Sequence, residues 1–69
     1  MSYPTDLATR LTRAGLLVTI ARYPLTGYYE ITRETRDADG HYYARELYDT
    51  GRDAWAAYKR NTRERKQNA

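Results

Sequence analysis

The chain has 69 residues, a formal net charge of +3 and no cysteine. Those figures exclude a disulfide framework, a thiolate metal site and a multi-domain enzyme, and they leave little depth for a substrate cleft. No apolar run approaches the ~20 residues needed to cross a bilayer, and residues 1–10 lack the apolar stretch of a signal peptide. The expectation is one small domain over residues 1–69, cytoplasmic and without a membrane partner.

In chain order, Thr5 reads as a helix N-cap, with Asp6 in the first turn where a carboxylate suits the helix dipole. Leu7, Leu11 and Ala14 follow at helical spacing, and Gly15 supplies a left-handed stop, so a short helix is predicted over about 5–14. Leu16 to Tyr23 reads as a strand, and Pro24 to Gly27 as a turn. Tyr28 to Arg36 alternates with period two and reads as a second strand. Asp37-Ala38-Asp39-Gly40 is a turn signal, and His41 to Asp49 a third strand. Thr50 caps a last helix, with Asp53 three residues on in a capping-box pattern. That helix is predicted to reach about Arg60–Arg65, with a frayed basic end from about residue 62. The predicted fold is α+β, in the order helix, three-stranded antiparallel meander, helix (αβββα), with both helices on one face of the sheet.

The two turns set the strand registers. A four-residue loop 24–27 places Tyr23 opposite Tyr28 and Ile20 opposite Ile31; a three-residue loop 38–40 places Asp37 opposite His41 and Ile31 opposite Leu47. Leu16, Val18, Ile20, Tyr29, Ile31, Tyr43 and Leu47 then share a core face, covered by Leu7, Leu11, Ala54, Trp55 and Tyr58 of the helices. Arg33 and Arg45 are misfits on that side. The opposite face holds Leu17, Thr19, Ala21, Tyr23, Tyr28, Glu30, Thr32, Glu34, Tyr42, Ala44, Glu46 and Tyr48, with no helix left to cover it.

Charge is uneven along the chain. Residues 1–24 sum to +2, residues 25–50 to −3 and residues 51–69 to +4. A chain built only to coat phosphate would not place six carboxylates in its middle block. On the uncovered face, Tyr28, Tyr42 and Tyr48 are the candidate contact residues, since tyrosine gives a large amphipathic area at low entropic cost. Glu30, Glu34 and Glu46 lie among them as an acidic patch suited to a partner with a basic groove. As an acid/base pair these carboxylates lack a cleft and divergent environments. His41 stands beside a turn without the partners that nucleophilic catalysis or zinc binding needs. Lys59, Arg60, Arg63, Arg65 and Lys66 are the candidate phosphate-binding residues.

The predicted order of elements is similar to that of the double-stranded-RNA-binding domain and of the HicA-type mRNA interferase toxins. The resemblance is topological. The RNA-binding domain has a lysine cluster at the start of its last helix, where this chain reads Thr50-Gly51-Arg52-Asp53-Ala54-Trp55. The toxins carry a histidine early in the sheet, where this chain reads Tyr28-Tyr29, with His41 opening the third predicted strand. Neither family is assigned. In size and lack of cysteine the chain is similar to small proteins that phages encode against host defences, anti-CRISPR proteins among them.

The function expected from sequence is therefore a small non-enzymatic binding protein, monomeric or homodimeric. It would dock on a larger protein or ribonucleoprotein with a basic groove, as a phage-type inhibitor of a host nucleic-acid-handling complex. The alternative is a nucleic-acid-binding accessory protein that uses the basic C-terminal helix and tail. No cofactor, metal or small-molecule substrate is expected.

Overall fold

A computed structural model describes residues 3–35 and 42–63. Four strands and one helix follow in order: β1 (Thr5–Leu11), β2 (Leu16–Arg22), β3 (Tyr29–Thr35), β4 (Tyr43–Tyr48) and α1 (Gly51–Thr62). The strands form one antiparallel sheet in the order β1-β2-β3-β4, each paired with its neighbour in sequence. The architecture is ββββα, not αβββα with two helices.

The predicted first helix is the edge strand β1. Its evidence was ambiguous in period. Leu7 and Leu11 are four residues apart, and a spacing of four satisfies both the helical repeat and strand alternation. Gly15 was equally ambiguous, because a helix stop and a hairpin bulge both need a positive φ. Gly15 takes φ 86° in a tight hairpin. Its N–H donates to the Thr12 carbonyl at 3.0 Å, and the Thr12 N–H donates to the Leu16 carbonyl at 2.9 Å. That is the three-residue loop in which a turn is followed by a left-handed glycine. Sheet formation decides the outcome: without β1, the apolar strand β2 would be an exposed sheet edge. A bulge between Asp6 and Ala8 shifts the β1 register near its start.

The second turn is as expected. The Tyr23 N–H donates to the Tyr28 carbonyl and the Gly27 N–H to the Tyr23 carbonyl, both at 2.8 Å, with Gly27 at φ 81°. Ile20 pairs with Ile31. The β3–β4 register is one residue from expectation: Ile31 pairs with Glu46, and Leu47 with Glu30. The ladder closes with the Thr35 N–H donating to the Tyr42 carbonyl at 3.0 Å. The predicted loop 38–40 and His41 lie outside the described residues. A one-residue shift turns every β4 side chain over. Tyr43, Arg45 and Leu47 therefore leave the core side, and Ala44, Glu46 and Tyr48 enter it.

α1 begins as its sequence predicts. The Thr50 hydroxyl accepts from the Asp53 N–H at 3.2 Å, and Thr62 lies in the last turn. The core is Val18, Ile20 and Ile31 from the sheet against Ala54 and Ala57 from α1, flanked by Ala8, Leu16, Tyr29, Tyr48 and Tyr58. Val18, Ile20 and Ile31 are the largest fully buried side chains. At about 1.5–3 kcal/mol each they supply much of the hydrophobic stabilisation. The expected core members Leu7, Leu11, Tyr43, Leu47 and Trp55 are exposed. Two alanines at the interface let the helix sit close to the strands, which leaves no room beneath it for the indole of Trp55.

Candidate functional site

Cross-strand partners point to the same side of a sheet, so the registers define both faces. The face without a helix carries Asp6, Thr9 and Leu11 from β1, and Leu17, Thr19 and Ala21 from β2. It continues with Glu30, Thr32 and Glu34 from β3, and Tyr43, Arg45 and Leu47 from β4. Tyr23 and Tyr28 extend it at the 24–27 turn. Leu11 (63% exposed) on β1 and Leu47 (56%) on β4 are its most open aliphatic groups, at opposite edges of the sheet, with the exposed ring of Tyr43 also on β4 and that of Tyr28 next to Leu47.

Glu30 is 6% exposed at the centre of this face, although no helix covers it. Two side chains close over it. The Tyr23 hydroxyl donates to Oε1 at 2.8 Å, and the Arg45 Nε donates to Oε2 at 2.6 Å. Arg45 was a misfit in the expected register; the shifted β4 places it on the open face as the counter-ion of Glu30. The bond to Glu30 raises the Tyr23 pKa above its ordinary value, with partial burial and the carboxylate charge adding to the effect. The charge of Glu30 likewise raises that of Arg45. With both oxygens engaged, Glu30 acts as a staple across β2, β3 and β4 rather than as a free base.

The six residues expected to form one contact surface divide between two sides. Tyr28, Glu30 and Glu34 lie on the open face. Glu46 and Tyr48 lie on the α1 side, where the Tyr48 hydroxyl donates to Glu46 Oε1 at 2.7 Å and Arg33 Nη2 to Glu46 Oε2 at 3.4 Å. That bond from Tyr48 is the main cause of its raised pKa. Tyr42 is exposed opposite Thr35 at the far end of the hairpin. Arg33 also donates to Asn61 Oδ1 at 3.2 Å, which joins β3 to the end of α1 and accounts for a charge on the core side. Tyr43, Leu47 and Leu11 were missed as surface residues, and Arg45 was expected to reach water from the core side rather than from the open face. The available signal was Arg45 itself, which had no partner on the core side in the expected register, whereas Arg33 finds Asn61 there.

A shallow groove of about 370 Å³ lies at one end of the open face, lined by Tyr28, Leu47, Tyr48 and Asp49. Of the candidate phosphate-binding residues, Lys59, Arg60 and Arg63 are exposed at the end of α1; Arg65 and Lys66 lie outside the described residues. Among the described residues no group of three or more His, Cys, Asp or Glu is placed to hold a metal ion, and no helix is long and apolar enough to cross a membrane. No family model, curated protein or solved structure matches this chain.

Proposed function

We propose that this is a non-enzymatic binding protein that docks on a larger protein through its open sheet face. The supporting observation is the exposure of Leu11, Tyr28, Tyr43 and Leu47 on one side of a sheet whose other side is covered. Exposed apolar groups that share one side are characteristic of contact surfaces. The Glu30–Arg45–Tyr23 staple holds β2, β3 and β4 in place beneath them, so little ordering is left to be done on binding. Asp6, Glu30 and Glu34 against Arg45 give the face a net charge of −2. A complementary partner presents apolar groups toward the two edges of the face with basic groups between them, and charge steers the encounter. Such a protein acts by occlusion, covering a surface that its partner uses for something else, and inhibition of a nucleic-acid-handling complex is the form this takes here.

The test is affinity capture from host lysate with nuclease present, followed by calorimetry with the purified partner. Leu11→Asp with Leu47→Asp is expected to abolish a nuclease-resistant interaction that Lys59→Ala with Arg60→Ala and Arg63→Ala retains. The reverse pattern would refute docking through this face.

A further inference from the structure

We propose that the opposite side of the molecule, the side that carries α1, binds the phosphate backbone of duplex nucleic acid. The observation is a segregation of charge between the two sides that the order of residues in the chain conceals. Strand alternation brings Arg10, Arg22 and Arg33 to the α1 side together with Glu46. α1 adds Arg52, Lys59 and Arg60, with Arg63 at its C-cap, against Asp53. Over these described residues the net charge is +5 on this side, against −2 for the strand residues of the open face. With Cα extents of 42 × 28 × 15 Å the molecule is a plate, and a phosphate backbone is attracted to one broad side and repelled by the other.

The cations on α1 form a ridge. Ala54, Ala57 and Thr62 are buried and Asn61 half-buried, so the helix faces the sheet along that stripe. At 100° per residue, Arg52, Lys59 and Arg63 fall within about 40° of one another on the side directly away from it. Their separations along the axis are about 10 and 6 Å, so the three cations line one edge of the helix over roughly 16 Å. Arg22 adds to the ridge near its start: its guanidinium lies 5.9 Å from the centre of the Tyr29 ring, and Tyr29 abuts Gly51.

Duplex rather than single strand is indicated by the aromatic groups on this side. Single-strand sites need open ring faces on which bases stack. Here Trp55 is set edge-to-face against Tyr58 at 5.5 Å, and the Tyr29 ring is covered by Arg22. Apart from Trp55, 38% exposed and held edge-to-face on Tyr58, what this side of the helix exposes is charge on a convex ridge, which meets a backbone and reads no bases. This inference does not rest on docking through the open face.

The experiment is fluorescence anisotropy with a 20-base-pair DNA duplex of mixed sequence, and with one of its strands alone, between 50 and 200 mM KCl. Three phosphate contacts give a slope of log K against log salt of about −3. Arg52→Gln with Lys59→Gln and Arg63→Gln is expected to remove most of that slope and to lower duplex affinity at least tenfold at 50 mM, with an unchanged circular dichroism spectrum. Leu11→Asp with Leu47→Asp should bind the duplex as the parent does. The proposal is overturned if the parent shows no salt-dependent duplex binding. It is equally overturned if the ridge variant keeps the parental slope, or if the single strand binds more tightly than the duplex.

Discussion

Replacing Arg45 with methionine tests the β3–β4 register and the open-face staple together. Methionine keeps most of the aliphatic cover over Glu30 but removes the guanidinium that donates to Oε2 at 2.6 Å. The Glu30 side chain is 8% exposed, so its charge is left with one neutral donor, the Tyr23 hydroxyl. Removing one partner of a buried pair costs about 3–5 kcal/mol. The Arg45 side chain is 48% exposed, so water already screens the pair from one side, and a loss of roughly 2–3 kcal/mol is expected. A domain of this size has only about 3–10 kcal/mol in total. The corresponding fall in melting temperature is roughly 8–24 °C, read by circular dichroism. Glu30→Gln in the same background removes the stranded charge while keeping an oxygen for Tyr23, and it should recover more than half of the loss. An Arg45→Met protein within about 0.5 kcal/mol of the parent, or a glutamine that deepens the loss, would show that the two residues are not paired.

Two further predictions concern single positions. A Cβ on Gly51 would lie 2.9 Å from the Tyr29 hydroxyl and 3.0 Å from Cζ. Gly51→Ala should therefore lose the ~1 kcal/mol that alanine normally adds to a helix, and denaturant titration should show it regaining stability in a Tyr29→Phe background; equal effects in both backgrounds would mean the ring yields freely. The folded-state pKa of Tyr23 is raised above the ordinary value of 10.0 by its bond to Glu30. Its contribution is thus fully present below about pH 10 and is lost as pH rises through the folded value. Tyr23→Phe should accordingly flatten the fall in stability above about pH 10, and curves that stay parallel would count against that bond.

The parts legible in the sequence were those fixed by local chemistry. Pro24 and Gly27 set a loop whose length is independent of the rest, so the pairing of Ile20 with Ile31 followed. Thr50 and Asp53 marked the start of α1 because capping needs only neighbours. β1 was not legible, because a four-residue leucine spacing and a following glycine suit a helix and a hairpin alike. Only the need of β2 for a second strand separates the two, and that need is tertiary. The β4 register was not legible because its ladder closes with Thr35 against Tyr42, one residue from the expected pairing. That single residue moved Tyr48 and Glu46 to one side of the sheet, and Arg45 and Leu47 to the other.

The sequential strand order has a kinetic consequence. Every strand pairs with the one before it, so each hairpin closes a short loop and no pairing waits on a distant segment. The ladder can grow as the chain is made. Its apolar side cannot be covered in that way, because Ala54 and Ala57 arrive only after all four strands. Until α1 docks, Val18, Ile20 and Ile31 face water on a sheet already formed. Loss of α1 would therefore leave that apolar side open to aggregation.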